Sequence, residues 1–271
     1  MSDGALRLAV LGAGGKMGQA VVRLAAGEGF AIVGAAERAG SPALGRDVGD
    51  LAGAGTLGVE VTGDVASALL GADVAIDFSA AEATIGVAGS CARARVALVC
   101  GTTGLTAEGE RALGVASAKV PVLWSPNMSL GVAVLAALVT AAARALEGFD
   151  VEIVETHHRL KVDAPSGTAL RLVEAVKEAR EGRVVTGREG RPGARLDDEI
   201  GVFAVRGGDV IGDHTVHLLG AGERLELTHR ATNRELFARG ALRAAKAIAK
   251  RAPGRYSMRD VVGPIVGAAG A

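Results

Sequence analysis

The chain has 271 residues, is 49% hydrophobic and 22% charged, and sets 30 basic side chains against 30 acidic ones. That composition excludes a disordered chain and offers no basic excess to recommend nucleic acid as a partner. Cys91 and Cys100 make no disulfide framework, and the apolar stretch from Leu130 to Ala143 is too short to span a bilayer and is interrupted by Gly131 and Thr140.

Met1 to Arg7 lacks a basic region followed by an apolar one, so no secretory leader is expected and a soluble cytoplasmic protein is. Leu6–Leu11 reads as a strand that stops at Gly12-Ala13-Gly14-Gly15-Lys16-Met17-Gly18, and Gln19–Ala26 reads as a helix. The glycines fit either G-x-G-x-x-x-G or G-x-x-G-x-x-G, between strand and helix, as a dinucleotide-binding turn requires. An ordinary tight turn would also carry glycine, so the next feature matters. A second strand, Phe30–Ala36, ends at Glu37-Arg38. An acidic residue there commonly binds the adenosine ribose, and Arg38 beside it suits a 2′-phosphate, so NADH and NADPH are both expected. Three further runs, Ala72–Ser79, Val96–Cys100 and Val120–Trp124, each end in small polar residues: Ser79, then Gly101-Thr102-Thr103-Gly104, then Ser125-Pro126-Asn127-Met128. In a doubly wound sheet such ends face the ligand crevice. Helices are expected from about Ala81 to Ala94 and from about Met128 to Glu147.

Asp150–Glu155 alternates polar and apolar, as a half-buried strand does. It leads into Thr156-His157-His158-Arg159-Leu160-Lys161-Val162-Asp163-Ala164-Pro165-Ser166-Gly167-Thr168, with Ser166 placed to cap a helix through Val176. Strand, cationic loop and helix start together suit an anion such as a carboxylate or phosphate. His157 and Lys161 supply groups that can exchange protons near neutral pH where their environment tunes them. HHxxK lacks the helical i, i+4 histidine pair of a zinc site, so no metal is expected. Arg180–Asp198 is charged and aperiodic and reads as an exposed loop. Phe203–Arg206, Asp209–Gly212, Thr215–Leu219 and Arg224–His229 read as strands of an open mixed sheet, whose uncovered face predicts an oligomer. Arg234–Arg251 reads as a helix, with Leu236, Phe237, Gly240, Ala241, Ala244, Ala245 and Ile248 on one stripe, that returns to the first domain.

The predicted fold is α/β: a Rossmann-type doubly wound parallel sheet formed by 1–128 and 235–271, plus an α+β domain with an open mixed sheet at 129–234 that binds substrate and mediates oligomerisation. Another two-domain NAD(P) oxidoreductase would share the first half without needing HHxxKxDAPSGT. A dinucleotide-sensing regulator would need a partner or DNA-binding module, and no such segment is visible.

The run from Glu155 to Ala169 matches E-x-H-H-x-x-K-x-D-A-P-S-G-T-A, and Lys16-Met17-Gly18, Gly101–Gly104, Pro126–Ser129 and Gly212–Val216 add further matches. In these motifs the chain resembles the 4-hydroxy-tetrahydrodipicolinate reductase family, over nearly its whole length. Ala80-Ala81 departs from the proline usual in that family, and Asp213 replaces its glutamate. The resemblance implies reduction of a cyclic dicarboxylate with NADH or NADPH, in lysine and diaminopimelate biosynthesis, by a homotetramer joined through the second-domain sheet. It implies that Gly12, Ala13, Gly14, Gly15, Lys16 and Met17 bind the dinucleotide, with Glu37 at the ribose and Arg38 at the NADPH phosphate. Gly101, Thr102, Thr103, Ser125, Pro126, Asn127 and Met128 would line the nicotinamide side. His157 and Lys161 would handle protons, their division left open, and His158, Ser166, Gly167 and Thr168 would bind substrate carboxylates.

Overall fold

The computed structural model describes residues 4–264. The chain forms two compact units, one from residues up to Ser129 together with Glu235–Val261, the other from Leu130–Arg234 together with the described residues from Val262 on. In chain order the first unit begins β1 (Leu6–Leu11), α1 (Lys16–Ala25), β2 (Phe30–Ala36), α2 (Val48–Ala52), β3 (Val61–Thr62), α3 (Val65–Ala68), β4 (Val74–Asp77), α4 (Thr84–Ala94), β5 (Ala97–Cys100), α5 (Ala107–Ser117) and β6 (Pro121–Trp124). The second contains α6 (Leu130–Ala145), β7 (Asp150–His157), α7 (Gly167–Lys177), β8 (Arg183–Val185), β9 (Glu199–Arg206), β10 (Gly212–Gly220) and β11 (Glu223–Ala231). The chain then returns to the first unit with α8 (Glu235–Ile248), β12 (Gly254–Tyr256) and α9 (Met258–Val262).

The first unit's sheet runs β12-β6-β5-β4-β1-β2-β3, parallel throughout. β4 and β5 are apolar at almost every position because helices cover such a sheet on both faces. The order of the strands reverses between β1 and β4, the switch point at which open α/β sheets bind ligands. α8 packs against α1 and the middle strands through Ala238, Ala241, Ala245 and Ile248.

The second unit's sheet runs β11-β10-β7-β9-β8 and is mixed: β10 is antiparallel to β7 and β11, and β9 is parallel to β7 and β8. Leu135 and Val139 of α6 and Leu172 and Val176 of α7 bury one face against Val151, Ile153, Ile200, Val202, Val216 and Leu218. Thr140 of α6 donates its hydroxyl to the Ala175 carbonyl of α7 at 2.9 Å, tying the two helices together. The opposite face presents Val154, Phe203, Thr215 and Leu219, all only partly buried or exposed.

Three expectations need correction. α1 starts at Lys16 and not Gln19, because Gly15 takes the cap position with extended backbone. Arg180–Asp198 is not simply an exposed loop. It contributes β8, and Arg188 and Arg195 reach across to Glu152, Arg188 pairing also with Glu199 and Arg195 with Asp150. Asp209–Gly212 is a turn up to Ile211, and β10 takes in Gly212 and runs on through the expected Thr215–Leu219 strand.

Candidate functional site

The glycine turn of the first unit is built for close approach. Gly12 has φ +75°, and a Cβ there would sit 2.6 Å from the Phe78 carbonyl oxygen at the end of β4. A Cβ at Gly18 would run into the Gly12 carbonyl, so this third glycine seats α1 against the turn. No side chain caps the start of α1 at Gly15, which leaves its first amides, at Lys16 and Met17, for an anion. Glu37 lies beside the turn: its carboxylate accepts the Gly14 N–H at 2.9 Å and the Arg38 N–H at 3.0 Å. The Arg38 side chain is exposed. The Ser79 hydroxyl, next to Phe78, is buried without a hydrogen-bond partner. An uncapped helix start, a turn that excludes Cβ atoms, an acidic residue at the second strand and an orphaned hydroxyl fit a dinucleotide.

At the ends of β4, β5 and β6 the polar residues knit together around Asp77, which is fully buried. Burial pushes its carboxyl up, although the Ser79 amide and the Thr102 hydroxyl hydrogen-bond to it. Trp124 donates its indole N–H to the Thr102 carbonyl at 3.0 Å, so Gly101 and Thr102 are held from two sides while Thr103 is exposed. A Cβ at Gly101 would strike the Phe78 ring. The Ser125 hydroxyl donates to the Asn127 carbonyl at 2.6 Å, and Asn127 Oδ1 accepts the Ser129 amide at 2.8 Å. Pro126 is exposed and Met128 buried.

In the second unit β7 delivers His157, and the loop after it carries His158, Lys161 and Asp163 to the start of α7. His157 is buried, with Nδ1 2.5 Å from Glu155 Oε2. A Cβ at Gly212 would lie 2.9 Å from its Nε2, so glycine keeps that nitrogen approachable. Glu155 is wholly buried. Burial pushes its carboxyl up, but hydrogen bonds from Arg206, then His157 and the Ser166 amide, together hold it below the usual carboxylate range. Lys161 places its ammonium 2.7 and 2.8 Å from the two Asp163 oxygens. His158 Nε2 is 3.3 Å from an Arg234 guanidinium nitrogen.

Ser166 caps α7 as the sequence predicts, its Oγ accepting the Ala169 N–H at 3.1 Å. Its amide donates to Glu155 and its hydroxyl meets His214 Nε2 at 3.1 Å. Both of its polar groups are thus spent inside the fold, and the face of the helix start belongs to Gly167 and Thr168. Burial, then the nearby His157, lowers His214 to about 4, so it is neutral. Its Nδ1 is buried without a hydrogen-bond partner.

His157, His158, Lys161, Ser166, Gly167 and Thr168 therefore gather at one end of the second unit's sheet, and the glycine turn, Glu37 and the ends of β4–β6 gather at one edge of the first unit's. The sequence reading passed over Glu155, Asp163, Arg206, His214 and Arg234 as functional positions. A glutamate within a buried strand was the available signal for Glu155. Among the described residues, no group of three or more His, Cys, Asp or Glu side chains is placed to hold a metal ion, and no helix is long and apolar enough to cross a membrane.

Comparison with known proteins agrees with this geometry. Residues 6–128 match the family model described as dihydrodipicolinate reductase, N-terminus, and residues 131–262 match the one for its C-terminus. The chain is 53% identical over 263 residues to the 4-hydroxy-tetrahydrodipicolinate reductase of Anaeromyxobacter dehalogenans, across 95% of this chain and 97% of that one. It is 48% identical over 265 residues to that of Myxococcus xanthus, across 95% and 98%. The solved structure of dipicolinate-bound dihydrodipicolinate reductase from Paenisporosarcina sp. TG-14 matches with a TM-score of 0.75 at 25% identity, across 94% of this chain and 98% of that one.

Proposed function

Because the chain belongs to the dihydrodipicolinate reductase family, we propose that the two residue clusters described above carry out that family's reaction here. The protein is an NAD(P)H-dependent oxidoreductase that reduces 4-hydroxy-tetrahydrodipicolinate to tetrahydrodipicolinate in lysine and diaminopimelate biosynthesis. Residues 1–128 with 235–271 serve the dinucleotide, and 129–234 serve substrate and assembly.

The observation that carries the assignment of roles is the pairing of two proton-bearing side chains, His157 and Lys161, with the start of α7. Gly12 through Met17 hold the pyrophosphate, Glu37 the adenosine ribose, and Arg38 stands ready for a 2′-phosphate. Gly101, Thr102, Thr103 and Ser125–Met128 line the nicotinamide. Loss of the substrate's 4-hydroxyl as water leaves an unsaturated ring, and when bound the reduced nicotinamide would supply a hydride to the ring carbon that lost it. Lys161, already an ammonium beside Asp163, delivers a proton to the neighbouring carbon, with His157 as the alternative donor. His158, Gly167 and Thr168 bind the substrate's carboxylates, and Ser166 shapes the helix start that does so. The dipicolinate in the Paenisporosarcina relative, a flat ring with two carboxylates, supports a dicarboxylate site.

The partly buried face of the second unit's sheet supports a homotetramer joined through it, and a biosynthetic reductase's role suits work in the cytoplasm. Light scattering coupled to gel filtration tests the assembly, and a monomer at micromolar concentration would refute it. Freshly condensed pyruvate and aspartate semialdehyde, mixed with the protein and NADH or NADPH, should give loss of near-ultraviolet absorbance. Tight cofactor binding without turnover would overturn the assigned roles.

A further inference from the structure

We infer that Arg206 is a positioning residue that holds both proton-handling side chains through one guanidinium. The inference rests on the reductase reading above. Arg206 ends β9 directly opposite His157 in the parallel register of β7 and β9. Its Nη1 and Nη2 fork onto the two Glu155 oxygens, each at 2.8 Å, and Nη2 also donates to the Asp163 carbonyl at 2.8 Å. Glu155 in turn holds His157 through the 2.5 Å hydrogen bond to Nδ1. Asp163 in turn grips the Lys161 ammonium. One planar group thus fixes a strand end behind the imidazole and the loop that carries the ammonium.

The arrangement is chemically demanding. A wholly buried carboxylate survives as an anion only with a partner, and an anion at Nδ1 settles which imidazole nitrogen keeps its proton. Arginine reaches four acceptors at once, the two Glu155 oxygens and the Asp163 and Val205 carbonyls, because its donors lie in a rigid plane, and lysine cannot reproduce that fork. Losing it frees the Asp163 carbonyl, and with it the loop that sets where Lys161 points. A misplacement near 1 Å at a reacting centre costs about 100-fold in rate.

The test compares wild type with Arg206→Gln, Arg206→Lys and the double variant Glu155→Gln/Arg206→Gln. We expect Arg206→Gln to lower kcat about 100-fold while the NADH dissociation constant stays within about two-fold of wild type. The acid limb of its kcat profile moves to higher pH, because Glu155 loses the guanidinium that keeps it ionised. Arg206→Lys rescues little of the turnover. The double variant regains thermal stability, having no unpaired buried charge, yet stays slow, and it supplies the kinetic readout if Arg206→Gln does not fold. In wild type the short His157–Glu155 hydrogen bond gives a far-downfield proton resonance that the Arg206 variants lose, a readout independent of turnover. Wild-type kcat and an unmoved acid limb in a folded Arg206→Gln variant, or a double variant as fast as it is stable, would overturn the inference. An inactive wild type that still shows the downfield proton, lost on substitution, would overturn the reductase roles and leave the positioning role of Arg206 standing.

Discussion

Replacing Gly18 by alanine separates two rules that predict opposite signs. Alanine is better than glycine in a helix interior by about 1 kcal/mol, so propensity alone predicts a more stable protein. The structure predicts harm. A Cβ at Gly18 would run into the Gly12 carbonyl oxygen and lie 2.8 Å from the Ala13 α-carbon, both backbone atoms that cannot rotate aside. Comfortable carbon–carbon separation is about 3.5–4.0 Å, so the start of α1 must retreat from β1 by roughly 1 Å. A phosphate hydrogen bond of about 2.9 Å from the Lys16 or Met17 amide would then stretch to nearly 4 Å and be lost. Two such charge-assisted bonds, at about 1.5 kcal/mol each on the low side, amount to about 3 kcal/mol, or roughly a 100-fold weaker dissociation constant. Energy transfer from Trp124 to bound NADH, titrated for wild type and variant, measures the constant, and calorimetric unfolding measures stability. A Gly18→Ala protein that binds NADH as wild type does and melts higher would show that the turn tolerates a methyl group, and the cofactor role of the turn would lose its structural basis.

Lys161→Ala should lower kcat by about 100-fold to 10,000-fold with NADPH affinity unchanged; an equal loss of affinity at constant turnover would remove Lys161 from proton delivery. His214 should make stability fall on acidification: its folded value near 4 lies below the unfolded value of about 6.5, so stability is full above pH 6.5 and drains away between pH 6.5 and 4, by about 3 kcal/mol in all. Denaturant midpoints across that range should show the slope in wild type, and His214→Gln should flatten it. Asp77→Asn should unfold within about 1 kcal/mol of wild type because an amide oxygen in the same place still accepts from the Ser79 amide and the Thr102 hydroxyl, whereas Asp77→Ala should cost about 2–4 kcal/mol by orphaning both.

How much of this could be read from residue order depends on distance along the chain. β1, the glycine turn and β2 were legible because an apolar run broken by glycine is a local signal, and Ser166 was legible as a cap because its partner, Ala169, lies three residues on. The α7 start and its histidines followed from the same short stretch. What escaped was fixed by partners far away. Glu155 and Arg206 are 51 residues apart, and neither declares the other. Asp77 looked like a polar strand end, yet it is buried because Thr102 and Cys100 close over it from the next strand. Arg188 and Arg195 made a charged, aperiodic stretch that read as loop, because their anchor, Glu152, belongs to an earlier strand.

The interrupted path of the first unit has a consequence for synthesis on the ribosome. The helices and the whole sheet of the second unit, α6 through β11, lie in one unbroken length of chain and can close their core once Arg234 has emerged. The first unit cannot, since α8 and the edge strand β12, which complete it, follow the second unit's sheet in the chain. The central domain should therefore mature first, while its predecessor waits half-dressed with the surface that α8 will cover still open to chaperones.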